Sequence, residues 1–295
     1  MPGVPIANAN GIDLYYETSG NPDDEPLLLV MGFTAQLIVW PDEFVQALCD
    51  RGYFVIRHDN RDCGLSHKTP GDPPDAAAIM AQAMSGGDVS GMAPYTLSDM
   101  SNDAFGVLDH LGIDSAHVVG ASMGGMIVQT MAIECPERLR SVTSIMSTTG
   151  DQSVGQATPA AMAALLAPPA DGREAMIAQG IEGSKAISGP LWNRELAAIR
   201  TAASYDRAFY PVGAAFQMAA IFASGDRTER LADVDLPFLV IHGRADELIS
   251  WSGGAATAEA VPNADMLVLA QMGHDMPIPL LPQIADAING IANRG

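Results

Sequence analysis

The run Ala116-His117-Val118-Val119 ends abruptly in Gly120-Ala121-Ser122-Met123-Gly124, and this junction constrains the chain more than any other stretch. A short β-branched segment that breaks at Gly-x-Ser-x-Gly and opens into Met-rich helical sequence reads as strand, sharp turn and helix. A serine at such a turn is held in a strained backbone conformation, with its hydroxyl thrust above the sheet. The flanking glycines are required because side chains there would collide with the neighbouring strand or helix.

The rest of the chain supplies the layers that such a turn needs. Ile12 to Thr18 alternates as a strand with one exposed face, whereas Leu27-Leu28-Leu29-Val30-Met31 is a continuous apolar run, the pattern of a strand buried on both faces. Pro41 to Arg51 reads as a helix closed by Gly52, Tyr53 to Arg57 as another buried strand, and Tyr95 to Leu111 as a helix closed by Gly112. After the helix that follows Ser122 comes a strand from Ser141 to Met146. From residue 231 onward the alternation resumes with strand Phe238–Ile241, helix Ser252–Ala260, strand Met266–Leu269 and helix Ile284–Ile291. Strands alternating with helices imply an α/β fold, a mostly parallel, doubly wound sheet covered on both faces.

Two segments break this rhythm. Residues 148–230 are Ala- and Met-rich, show no strand pattern, and are punctuated by Pro159, Pro168, Pro169, Pro190 and Pro211. They are expected to form an all-helical insertion at the C-terminal edge of the sheet, dividing a core of residues 1–147 and 231–295. Residues 67–94 read as irregular.

Composition narrows the partners. The formal net charge is −20, from 35 acidic and 15 basic residues, which opposes nucleic acid and anionic membranes because both need clustered Lys and Arg. Three scattered cysteines, Cys49, Cys63 and Cys135, offer neither a disulfide framework nor a zinc site, and their odd number fits a reducing compartment. Met1 to Pro5 carries no basic and apolar leader pattern. A soluble, cytoplasmic protein is therefore expected, with a small molecule rather than nucleic acid or membrane as its partner and a homodimer as an open alternative to a monomer.

A serine hydroxyl is a poor nucleophile unless a positioned base removes its proton. In a strand–Ser–helix architecture the chain order is Ser, then Asp or Glu, then His, and only His242 and His274 follow Ser122. His274 lies just past the last strand, where parallel sheets place chemistry; His242 ends a buried strand and is expected to pack internally. Asp246, in the loop after that strand, is the first choice for the carboxylate, with Glu247, Asp275 and Asp151 as competitors. The developing oxyanion needs two N–H donors. The backbone amides of Met123, at a helix N-terminus, and of Phe33, after the strand Leu27–Met31, are placed for it.

With these residues in view, the chain resembles the α/β-hydrolase fold superfamily over essentially its whole length. The echoes are Val30-Met31-Gly32-Phe33, the segment His58 to Ser66, Gly120 to Gly124, His242-Gly243-Arg244-Ala245-Asp246 and Met272-Gly273-His274. Asp62 stands where the family's structural loop usually has Gly, and Met31 where many members have His. Both variants are similar to the bacterial carboxylesterase branch that includes aclacinomycin methylesterase. The resemblance implies hydrolysis of carboxylic esters without metal or organic cofactor, and a cap formed by the helical insertion.

The mechanism expected is attack by Ser122 on an acyl carbonyl, with His274 as base and Asp246 stabilising the imidazolium. Trp192, Phe209, Tyr210, Phe216, Met218 and Phe222 are candidates for an apolar pocket in the insertion, and Met80, Met84 and Met92 for its entrance. A lactonase or a carbon–carbon bond hydrolase would use the same triad. A non-catalytic ligand receptor on this fold is the alternative of another class.

Overall fold

The computed structural model describes residues 5–89 and 91–294. Most of the stretch Met1 to Pro5, read above for a leader, lies outside the described residues. Eight strands form one sheet: β1 (Ile6–Ala9), β2 (Ile12–Ser19), β3 (Glu25–Val30), β4 (Tyr53–His58), β5 (Ala116–Ala121), β6 (Leu139–Ile145), β7 (Phe238–Gly243) and β8 (Asp265–Leu269). Their spatial order is β1-β2-β4-β3-β5-β6-β7-β8. β2 is antiparallel to both its neighbours, and from β4 to β8 every pairing is parallel.

The buried strands read as unbroken apolar runs because both faces are covered. In β3, Leu28 and Val30 join one core while Leu27 and Leu29 join the other; in β5 Val118 and Val119 divide the same way, as do Val240 and Ile241 in β7. The first core is closed by α3 (Leu97–His110) and α4 (Met123–Glu134), the second by α1 (Asp42–Cys49) and α11 (Leu281–Ala292). The α11 residues Leu281, Ile284, Ala285, Ile288, Ile291 and Ala292 are buried, a 3.6-residue stripe facing the sheet. Thr96 and Asp99 start α3 with reciprocal hydrogen bonds, a capping box that satisfies the otherwise unpaired amides of its first turn.

Two details depart from the sequence reading. The stretch 67–94 contains a helix, α2 (Ala76–Met84), whose first turn is capped by the Asp75 side chain accepting from Ala78 N–H. Its Ala- and Met-rich composition gives no amphipathic signal, and only Ile79 is buried. The short β1 is the other, since its four residues are too few to show a period. Between β6 and β7 the chain forms α5 (Pro159–Leu165), α6 (Arg173–Ile187), α7 (Arg194–Arg207), α8 (Gly213–Ser224) and α9 (Thr228–Leu231), and α10 (Trp251–Ala260) joins β7 to β8. Among the described residues no helix is long and apolar enough to cross a membrane.

The junction of β5 and α4 is the tightest point. A Cβ on Gly124 would lie 2.0 Å from the Val30 carbonyl oxygen, and one on Gly120 would lie 2.0 Å from the Gly124 carbonyl oxygen. Neither obstacle is a flexible side chain, so the backbone itself would have to move. Gly124→Ala is therefore expected to destabilise the protein by about 3 kcal/mol, while Gly290→Ala, on the exposed side of α11 with nothing within 4 Å of the new methyl, should stabilise it by about 0.5–1 kcal/mol. Urea denaturation of both variants checks the contrast; equal midpoints would refute it.

Candidate active site

β5 delivers its last residues at the C-terminal edge of the sheet, and the chain reverses within one residue to start α4. Ser122 pays the conformational cost of that reversal, with φ 55° and ψ −119°, a region that L-residues occupy only when the surroundings enforce it. The enforcing contacts are specific. Ser122 N–H donates to Ile145 O at 2.9 Å, and Ser147 Oγ donates to Ser122 O at 2.8 Å.

Ser122 Oγ lies 2.9 Å from His274 Nε2, and His274 Nδ1 lies 2.8 Å from Asp246 Oδ2. His274 comes from the loop after β8 and Asp246 from the loop after β7, so three strand ends converge. The carboxylate sets the tautomer: an ionised Asp246 only accepts, so Nδ1 carries the proton and the Nε2 lone pair faces the serine hydroxyl. Asp246 is buried, and burial alone would raise its carboxyl. The charge of a protonated His274, the side chains of His242 and His274 and the Ile249 amide outweigh that and hold it at about 2. Its second oxygen accepts Leu248 N–H and Ile249 N–H, both at 2.9 Å.

The competing residues are occupied elsewhere. His242 is fully buried, with Nε2 2.8 Å from Ile249 O and 3.5 Å from Asp246 Oδ2, so it buttresses the carboxylate from behind. Asp275 turns its Oδ1 to the Gly273 and Gly189 amides. Asp151 closes a local turn onto Ser153, and Glu247 is exposed.

The expected donor loop lies against the serine. A Cβ on Gly32 would sit 3.0 Å from both Ala121 O and Ser122 Cβ. Ala35 N–H donates to Gly32 O at 3.2 Å, closing a turn whose third residue, Thr34, has φ 56°. Because the peptide is trans, fixing the Gly32 carbonyl aims the Phe33 N–H the opposite way. Among the described residues neither Phe33 N–H nor Met123 N–H donates to a protein acceptor. The Met123 amide also sits in the first turn of α4, where the helix dipole favours negative charge.

The sequence offered no signal for what holds this turn. Gln217, fully buried on α8, accepts Thr34 N–H at 2.7 Å through Oε1 and donates to Arg61 O at 2.8 Å through Nε2. Nearby, Arg207 at the end of α7 pairs with the fully buried Asp59 at 2.7 Å, and Asp59 also accepts Leu37 N–H and Leu65 N–H, each at 2.8 Å. The 58–66 loop accommodates Asp62 at φ 60° because its carboxylate takes both Thr69 N–H and the Thr69 hydroxyl, each at 2.7 Å.

Above Ser122 opens a cavity of about 690 Å³, mostly apolar in lining, bounded by Met31, Met146, Leu165, Ile187, Trp192 and Leu196 among others. Of the sequence candidates for this pocket only Trp192 lines it. Phe216 is buried in the core, Phe209 is exposed and packs on Tyr205, and Tyr210 lies beside Lys68. Met218 and Phe222 are half-buried away from it, and Met80, Met84 and Met92 do not reach it. Helical spacing identified the apolar residues but not which face of each helix turns to the cavity.

Comparison with known proteins agrees with this architecture. The chain is 29% identical to rhodomycin D methylesterase DnrP of Streptomyces peucetius, over 98% of this chain and 97% of that one. It is 28% identical to a putative carbamate hydrolase, RutD, of Azorhizobium caulinodans, over 88% of each. Among solved structures, the meta-cleavage product hydrolase CumD of Pseudomonas fluorescens superposes with a TM-score of 0.78 at 19% identity, covering 98% of this chain and 97% of that one. The enol-lactonase of Burkholderia xenovorans superposes at 0.75 and 20% identity, covering 98% and 100%; these two likenesses speak for the fold alone. The model of the alpha/beta hydrolase fold family matches residues 25–279, and the chain belongs to that family.

Proposed function

We propose that this protein is a serine carboxylesterase that cleaves small to medium, largely apolar esters through an acyl-enzyme. The observation that carries this reading is the unbroken path from Ser122 Oγ through His274 to Asp246, at 2.9 and 2.8 Å. In this mechanism His274 takes the serine proton as Ser122 Oγ attacks the ester carbonyl. The Phe33 and Met123 amides receive the negative charge that develops on the carbonyl oxygen, and Asp246 stabilises the imidazolium. His274 then gives its proton to the departing alkoxide. Water, deprotonated by the same imidazole, releases the acid and restores Ser122. The full-length similarity to a methylesterase supports an ester as substrate.

The helices between β6 and β7 serve as a cap in this proposal, since α5, α6 and α7 supply Leu165, Ile187 and Leu196 to the cavity wall. A water-poor cavity strengthens the electrostatic work of the amides. Lactones and carbon–carbon bonds flanked by carbonyls present the same electrophile to the same triad, and belong in the substrate panel.

Three outcomes are expected. With a short-chain nitrophenyl ester, wild-type protein should release a stoichiometric burst of nitrophenol. Ser122→Ala should abolish the burst and lower turnover by at least about 10⁴-fold; turnover that persists in the variant would sink the proposal. Gln217→Met, which frees Thr34 N–H, should lower kcat by about tenfold with a smaller effect on KM, and adding Thr34→Gly should recover part of the loss because glycine holds the turn without strain. A KM effect alone would argue against positioning of the amide donor. Asp246 has its folded carboxyl depressed from 3.8 to about 2, so its stabilising contribution is complete above about pH 4 and is lost as pH falls through about 2. Chemical denaturation as a function of pH should show this acid slope reduced in Asp246→Asn; identical slopes would remove Asp246 as its source.

A further inference from the structure

Arg200 is the cation that the mechanism leaves unused. It lies on α7 in the cavity lining, on the same helical face as Leu196, Ala197, Thr201 and Ser204. The chain carries 35 acidic residues, and nearly every arginine has found a polar partner. Arg51, Arg57, Arg61, Arg138, Arg140, Arg173, Arg194, Arg207, Arg230 and Arg294 pair with carboxylates, and the buried Arg227 is held by Gln129 Oε1, Gly225 O and Thr148 O. Among the described residues only Arg200 and the exposed Arg244 have a guanidinium without a hydrogen bond or ion pair.

A partly buried guanidinium without a partner is costly unless something else supplies the negative end. Burial indeed pulls Arg200 below its usual range, opposed by the fields of Glu43 and Asp275. Neither carboxylate comes within ion-pair distance of it. Asp275 is turned to the Gly189 and Gly273 amides, and Glu43 is exposed on α1. Arg200 therefore lines an otherwise largely apolar cavity with its forked donors uncommitted. That cavity also holds the Ser122–His274 pair.

We infer that Arg200 is a specificity-determining residue that receives a carboxylate of the substrate, so that the preferred substrates are esters bearing one anionic group, of which half-esters of dicarboxylic acids are the simplest. The inference rests on the esterase reading for its reaction, but the carboxylate subsite stands on the cavity and on Arg200 itself. A single carboxylate suits the site better than a phosphate, because one planar guanidinium matches two carboxylate oxygens. A doubly charged group would face the charges of Asp275 and Glu43 with only one cation to offset them.

The test compares monomethyl esters of C4 to C8 dicarboxylic acids with methyl alkanoates of equal length. Carboxyalkyl acetates, which carry the anion on the alcohol side, form a second arm. In wild-type protein the kcat/KM ratio of the best anionic ester to its neutral counterpart should be about 10 to 100. The chain length at the maximum reports the reach from Ser122 to Arg200, and the better arm tells which half of the ester carries the anion. The ratio should fall to near one in Arg200→Met and remain intermediate in Arg200→Lys, which keeps the charge without the fork. A wild-type ratio near one in both arms, or a ratio unchanged in Arg200→Met, would overturn the inference.

Calorimetric binding of the same half-esters to Ser122→Ala separates the two layers. Binding that requires Arg200, in a protein with no Ser122-dependent ester turnover, would uphold the carboxylate subsite and reject the esterase reading. Ester turnover with no Arg200-dependent preference would do the reverse.

Discussion

The approach of the α4 backbone to β3, with the Gly124 Cα against the Val30 carbonyl, is the contact on which the site depends. With glycine at 120 and 124 the helix starts directly over the sheet, and Ser122 has nowhere to go but into its strained conformation. Strain of this kind costs on the order of 1–3 kcal/mol. It is offset by the two cores on either side of the sheet, which bury β5, β7 and the last four residues of β3 on both faces. The result is a hydroxyl fixed by backbone rather than by rotamer choice, and a helix N-terminus fixed beside it.

A second layer of order is polar and long-range. Gln217 on α8 ties the Gly32–Ala35 turn to the Arg61 carbonyl, and Arg207 on α7 ties the same neighbourhood to Asp59. Gln36 completes the junction by donating to Ser204 O and Ala208 O, while its own carbonyl accepts from Arg207. All of these side chains are buried or largely so. Removing one partner therefore leaves an unsatisfied group in a poor dielectric, a larger penalty than the bond's own net contribution. This makes the helical insertion a structural participant in the serine's surroundings as well as a wall of the cavity.

Asp246 illustrates how such satisfaction tunes chemistry. Desolvation would make it a weaker partner for His274, yet two backbone amides and two histidine rings keep it ionised. The loop that carries it is short, so the same residues that turn the chain after β7 also solvate the carboxylate.

Much of this was legible in the chain itself, and the division has a physical basis. The unbroken apolar runs of β3, β5 and β7, the helical stripe of α11, and the Ser–Asp–His order are local or ordinal properties. Apolar spacing and turn chemistry encode them within a few residues, so Ser122, Asp246 and His274 could be named before any contact was known. Asp246 was separable from Glu247 and Asp275 only in part, because side-chain direction in an irregular loop is not periodic. The helix Ala76–Met84 was hidden by its uniform composition. Gln217, Arg207 and Arg200 were out of reach because their meaning lies in contacts, or in missing contacts, across as many as 183 residues of sequence. An arginine without a partner looks like any other arginine until the fold shows which of the chain's acids it fails to meet. The sequence alone determined the run of alternating strands and helices, the sharp turn at Ser122 and the chain order of Ser122, Asp246 and His274, because these follow from patterning along the chain. Which aromatics face the cavity, which side-chain amide holds the Gly32–Ala35 turn and which guanidinium is left unpaired in the cavity lining were decided only when tertiary packing placed distant residues side by side.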